Sequence, residues 1–198
     1  MNKENILYVV IALLVGILGT VLVMGVVNKN KAPQVATQVP MGAGSPTDYQ
    51  ARIAEAEKIV AKDPKNYQVW VQLGNDYFDT DQPQKAIDAY QKAIDLDPSN
   101  PNNANIITDQ GVMYRKLGQF DKAVANFEKA SQLDPKHLQS LFNLGIVYAT
   151  DLQQPNKAIE AWNRFLAKDS TSPQAQQVKG MLEQLKASPP PTGKMFGQ

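Results

Sequence analysis

Residues 70–98 read WVQLGNDYFDTDQPQKAIDAYQKAIDLDP, in which Trp70, Leu73, Gly74 and Tyr77 are followed by Ala86, Tyr90, Ala93 and Pro98. The same order returns as Gly111, Tyr114, Ala123, Phe127, Ala130 and Pro135. It returns again as Leu141, Leu144, Gly145 and Tyr148, then Ala158 and Trp162 after one inserted residue. Gly111 and Gly145 are 34 residues apart, whereas Gly74 and Gly111 are 37 apart, the excess falling in Ser99, Asn100, Pro101, Asn102 and Asn103.

This order predicts pairs of antiparallel helices. Gly74 and Ala86 fall on facing surfaces, where a larger side chain would push the backbones apart. Tyr77 and Tyr90 fill the wider part of the gap, and Pro98, lacking an amide proton, ends the second helix. Each pair leaves an apolar face that only a neighbouring pair can cover. The spacing resembles the tetratricopeptide repeat, a helix-turn-helix unit of about 34 residues. That resemblance implies an all-α right-handed superhelix of about three repeats with capping helices.

Both flanks fit such an array. A helix from Thr47 and Asp48 to Lys62 carries a buried stripe of Ile53, Ala56, Ile59 and Val60. It ends in Asp63, Pro64, Lys65 and Asn66, which match Asp97, Pro98, Ser99 and Asn100 at an offset of 34, the signature of an incomplete repeat capping the N-terminal end. At the other end Pro173 opens a helix to Ala187 with Val178, Leu182 and Leu185 on one face. The repeat domain is therefore expected over residues 47–187, followed by a disordered tail, 188–198, that begins at Pro189, Pro190 and Pro191.

Ahead of the repeats, residues 6–27 form an uncharged apolar run behind a five-residue tail, 1–5. As a helix this run spans roughly 33 Å, enough for a hydrocarbon core. A cleaved signal peptide is the competing reading, but its apolar region is shorter and closes on small residues, so length favours an uncleaved single-pass helix. Lys3 on one side and Lys29 and Lys31 on the other leave the positive-inside rule undecided. By analogy with short bacterial anchors that carry their bulk outside, the expected placement is the inner membrane with the repeats in the periplasm. Ala12, Gly16 and Thr20 lie every fourth residue, as in close-packed membrane helices, so a homo-oligomer is an option beside the plain reading that such residues are common there. Residues 28–46, with Pro33, Pro40, Pro46, Gly42, Gly44 and Ser45, read as a flexible linker reaching about 25 Å.

Composition narrows the function further. The 20 basic and 19 acidic residues give a net charge of +1, so no global field draws the chain to nucleic acid. Cysteine is absent, which removes disulfides, thiolate chemistry and covalent haem attachment. The single histidine, His137, reads as a solvated turn residue, and Asp76 and Asp79 as a solvated helix face. Gly193 and Lys194 lack the glycine loop of a phosphate site. No enzyme, cofactor or metal is expected.

The resemblance places function in a concave groove lined by the first helix of each repeat. In the first repeat it implies Gln68, Val71, Gln72, Asn75, Phe78 and Asp79. In the second it implies Asn105, Thr108, Asp109, Val112, Arg115 and Lys116, and in the third Gln139, Phe142, Asn143, Ile146, Ala149 and Thr150. Phe78, Val112, Phe142 and Ile146 are apolar without belonging to the packing signature. They either form a seam bordered by amides, able to take an extended or helical peptide, or cover neighbouring helices at the ends of a short array. The clamp with which some family members hold a peptide's terminal carboxylate needs basic residues where this chain has Val71, Gln139 and Asn143. Arg115 and Lys116 remain to meet an acidic partner.

The closing segment, Ala158, Trp162, Phe165 and Leu166 with Ser172, Pro173, Ala175 and Val178, is similar to the end of the repeat domains in bacterial cytochrome c maturation haem lyase subunits. That similarity implies a groove for the C-terminal helix of an apocytochrome. The leading expectation is a membrane-tethered scaffold binding a partner's peptide or helix. The alternatives are a self-assembling structural protein and an assembly factor for secretion or pili.

Overall fold

The computed structural model describes residues 46–187. The expected tail 1–5, the membrane span 6–27, the linker up to residue 45 and the tail 188–198 lie outside the described residues. Among the described residues no helix is long and apolar enough to cross a membrane.

The described chain is a run of helices: α1 (Pro46–Lys62), α2 (Tyr67–Asp79), α3 (Pro83–Leu96), α4 (Asn103–Lys116), α5 (Phe120–Leu133), α6 (Leu138–Ile146), a π-helical turn (Val147–Asp151), α7 (Pro155–Leu166) and α8 (Pro173–Ala187). Proline at the start of α3 and α7 supplies the fixed φ of a first turn and has no amide to leave unpaired. Each helix packs on the next, and α2 also touches α4 as α4 touches α6. The first helices of the three hairpins thus lie side by side on one face, in the expected all-α array.

The repeat signature works by laying an aromatic ring on bare backbone. A Cβ on Gly74 would stand 2.4 Å from Tyr90 Cδ1, one on Gly111 2.7 Å from Phe127 Cε1, and one on Gly145 2.1 Å from Trp162 Nε1. Tyr90 therefore lies directly over Gly74 instead of in a wider part of the gap, and Tyr90, Phe127 and Trp162 are 1%, 0% and 2% exposed. The other signature tyrosine takes a cation on its face in every repeat: Lys85 over Tyr77 at 5.2 Å, Lys122 over Tyr114 at 5.3 Å and Lys157 over Tyr148 at 5.3 Å.

The turn inside each hairpin also repeats. One residue is left-handed in each, Asp81 (φ 59°), Gly118 (φ 70°) and Gln153 (φ 53°). The next amide then closes the helix: Gln82 N donates to Tyr77 O at 2.8 Å and Gln119 N to Tyr114 O at 2.9 Å. In the third hairpin Gln154 N donates to Tyr148 O at 2.7 Å, a span one residue longer. The residue inserted before Ala158 is absorbed by the π turn, where Leu152 N donates to Val147 O at 2.9 Å. In the longer connection between the first two repeats, the fully buried Asn103 donates to the Asp97 carbonyl at 2.6 Å and accepts from the Tyr67 hydroxyl at 2.9 Å.

The two end helices of the described chain differ from those of the full repeats. At the 34-residue offset, Arg52 of α1 stands in the register of Ala86 and Ala56 in that of Tyr90. Among the described residues no helix faces α1 at this position, and Arg52 reaches across to Asp76 of α2. This corrects one expectation: Asp76 is not on a solvated face but is 0% exposed, paired with Arg52 and bonded by Gln72 Nε2 at 3.2 Å. The stripe expected on α1 is buried at Ala56 and Val60 and half-buried at Ile53 and Ile59. On α8, Val178, Leu182 and Ala175 are buried, with Leu185 packed beside them. Gly180 of α8 follows Gly145 by 35 residues, and among the described residues a Cβ there would meet nothing within 4 Å.

Candidate functional site

The aligned faces of α2, α4 and α6 bring the expected groove residues together. Val71, Asn75 and Phe78 of α2, Asp109, Val112 and Arg115 of α4, and Phe142, Asn143, Ile146 and Ala149 around α6 are all half-buried. Gln68, Asp79, Asn105, Lys116, Gln139 and Thr150 are exposed at its edges. Thr108 drops out: it is 2% exposed and its hydroxyl donates to the Ala104 carbonyl at 2.8 Å.

The apolar residues are in part packing residues. Phe78 packs on the core shared by α1, α2 and α3, and Val112 bridges that core to the one around Phe127. Phe142 sets its ring 6.4 Å from Phe165, and with Ile146 and Ala149 it leans on the cluster closed by α8. Each has one side in a seam between helices and one side open.

The groove's middle row is matched to the aromatic beneath it. The buried Tyr90 hydroxyl donates to Asn75 Oδ1 at 2.9 Å, which occupies the amide oxygen and leaves the NH2 group for the groove. Phe127, with no polar tip, underlies Val112, and Trp162, under Ile146, sends its indole N–H to the Phe142 carbonyl at 3.2 Å. Further amides line the rim: Gln139 Nε2 donates to Asn143 Oδ1 at 3.0 Å, and Gln174 of α8 donates to Gln139 Oε1 at 3.3 Å.

The charges are arranged otherwise than expected. Arg115 Nε donates to Asp151 Oδ2 at 2.5 Å, with its Nη2 on Asp151 Oδ1 at 3.2 Å and on Thr150 Oγ1 at 3.3 Å. Lys116 is paired with Asp81. Both cations expected to meet an acidic partner are thus engaged within the chain. Asp79 accepts from the Tyr49 hydroxyl at 3.2 Å. Asp109 has its carboxyl pushed up to about 6, first by burial and then by the neighbouring charge of Asp79. Tyr90 is driven well above the usual phenol range by burial and by Asp109, Asp79 and Asp76.

His137 is likewise not a fully solvated side chain. It is half-buried, with Nε2 3.0 Å from Asn105 Oδ1 and Nδ1 3.4 Å from Thr108 Oγ1, and burial lowers its pKa. It keeps the turn before α6 in place on the start of α4. Among the described residues no group of three His, Asp or Glu side chains gathers as a metal site. A separate cleft of about 390 Å³ is lined by Val60 and Ala61 of α1, Trp70, Leu73 and Tyr77 of α2 and Ala89 of α3, with Glu57, Lys85, Asp88 and Lys92 around it. Sequence reasoning did not find it, since it arises where α1 offers small residues at the array's end.

A family model described as tetratricopeptide repeat matches residues 67–136, and a second of the same description matches residues 108–173. No curated protein sequence matches the chain. Among solved structures, MamA is similar at 24% identity with a TM-score of 0.63, over 71% of this chain and 80% of that one. The first TPR of Spaghetti (RPAP3), bound to the HSP90 peptide SRMEEVD, is similar at 26% identity and a TM-score of 0.54, over 62% of this chain and 94% of that one. YrrB, a TPR protein with an unusual peptide-binding site, is similar at 22% identity and a TM-score of 0.59, over 67% and 66% of the two chains.

Proposed function

We propose, from the premise that this chain belongs to the tetratricopeptide repeat family, that it is a scaffold whose concave groove holds an extended or helical segment of a partner protein. The observation that carries this reading is the row of half-open apolar side chains, Val71, Phe78, Val112, Phe142 and Ile146, beside unspent amide donors on adjacent helices. Such a surface offers apolar area and directional bonds to a peptide. The similar groove of Spaghetti with an HSP90 peptide supports the same mode of use. That peptide, SRMEEVD, is acidic, whereas here Arg115 and Lys116 are tied to Asp151 and Asp81.

The uncharged run 6–27 supports tethering to a membrane, and the bacterial inner membrane with the repeats on the periplasmic side is the setting we propose. Within it the partner would be a client or subunit of a membrane complex, and the closing segment's similarity to haem lyase subunits favours an apocytochrome helix. The test is pull-down from envelope extracts with the full chain against its Phe78→Glu and Ile146→Glu variants, each checked for unchanged helicity. A partner lost in both variants is expected, and identical captures with all three proteins sink the groove reading.

A further inference from the structure

We infer that the groove between α2 and α4 takes a lysine or arginine side chain from a basic, amphipathic segment of a partner protein, with Asp109 and Asp79 meeting the cation and Phe78 and Val112 its apolar flanks. This rests on the groove reading above and names the chemistry of its occupant.

Among the described residues one carboxylate side chain is buried, Asp76, and six are half-buried, Asp97, Asp109, Glu128, Asp134, Asp151 and Asp169. Six are answered. Asp76, Asp151 and Glu128 hold Arg52, Arg115 and Arg164. Asp97, Asp134 and Asp169 accept from Asn100 Nδ2 at 3.0 Å, Lys136 N at 2.9 Å and Ser172 N at 3.1 Å. Asp109 alone has no donor, and it sits on the groove face of α4 one turn before Val112.

A half-buried carboxylate with no donor in the protein has lost part of its hydration without replacement, and a cation brought by a ligand offsets that loss. Of the described groove residues the two cations, Arg115 and Lys116, are already paired. Asp79, next to Phe78, adds a second negative charge beside Asp109. An arriving acidic segment would meet like charge there, so the arrangement selects against it as well as for a base.

The test selects a random 12-residue peptide library, on the order of 10⁹ clones, on the full chain at low salt, where charge pairing is strongest. Lysine or arginine flanked by apolar residues is expected to be enriched, with the strongest clone losing about tenfold in affinity on Asp109→Asn, the equivalent of 1.4 kcal/mol. Asp109→Asn should melt no lower than the parent, so a loss of binding is not a loss of fold. Clones without basic enrichment that nonetheless fail on Ile146→Glu keep the groove and overturn the cation. Clones insensitive to both substitutions overturn the groove itself. Basic clones that bind only after residues 188–198 are removed make the chain's own Lys194 the occupant and overturn the assignment to a partner.

Discussion

The Asp76 carboxylate of α2 is wholly removed from solvent and is held by the Arg52 guanidinium of α1. This buried pair fixes the N-terminal cap to the first repeat. Hydrogen bonds from the Tyr49 hydroxyl to Asp79 at 3.2 Å and from the Tyr77 hydroxyl to Glu57 at 2.5 Å flank it. Removing one member of such a pair strands the other, at a cost of about 3–5 kcal/mol. Arg52→Ala should therefore lower stability by about 3 kcal/mol in urea unfolding. Replacing both residues together, Arg52→Met with Asp76→Leu, should recover most of that loss, and a double variant no better than the single one refutes the account.

Gly145→Ala should be the most damaging of the three signature glycine substitutions. The new methyl would lie 2.1 Å from an indole that is itself bonded to the Phe142 carbonyl, so the ring has little freedom to retreat. Overpacking costs about 1–3 kcal/mol against roughly 1 kcal/mol regained in helix propensity. Thermal unfolding should rank Gly145→Ala below Gly111→Ala, where the gap is 2.7 Å.

Asp109 carries a pH signature. Its carboxyl is raised to about 6 in the folded chain, whereas an unfolded aspartate titrates near 3.9. Between those values the folded state holds more protons, so stability falls as pH rises through that window and the penalty is complete above the folded value. Asp109→Asn should accordingly stabilise the domain at pH 7 by on the order of 2 kcal/mol, and the advantage should vanish below pH 4. Paired denaturation curves at pH 4 and pH 7 measure both effects. A variant that is more stable at neutral pH yet poorer at binding would mark the residue as kept for its ligand.

Gln153 occupies the left-handed position that Gly118 fills without strain in the preceding hairpin. A side chain in that conformation costs about 1–2 kcal/mol. Gln153→Gly should gain about 0.5–1 kcal/mol after the added flexibility of the unfolded chain, and Gly118→Ala should lose about as much. Equal melting temperatures for parent and Gln153→Gly would count against a strained turn.

Most of the packing was legible because it is written in residue size at fixed intervals. Gly74, Gly111 and Gly145 with Tyr90, Phe127 and Trp162 announce close helix pairs, and the offset from Asp63 to Asp97 announces the cap. The same register assigned residues to the expected groove face, and of these Thr108 is buried instead, its hydroxyl folded back on Ala104. Charges were not legible in that way. Arg115 meets Asp151, 36 residues away in the π turn, and Asp76 meets Arg52 of the preceding helix, 24 residues back. Such pairings depend on which helices end up adjacent, and hydrophobic spacing does not carry that fact. Asp109 stands out only once every other withdrawn carboxylate has been matched to its donor.

The two ends of the array are not equivalent. Where a preceding hairpin would need alanine, α1 presents Arg52, already committed to Asp76; on α8, Gly180 keeps a notch that no other described residue fills, of the kind that receives an aromatic ring elsewhere. Lengthening of this architecture by duplication is therefore directional. A hairpin spliced in before α1 would collide with its own boundary, while one added after α8 would find a seat already cut, needing only an apolar exchange at Gln176, Lys179 and Glu183 to be held there.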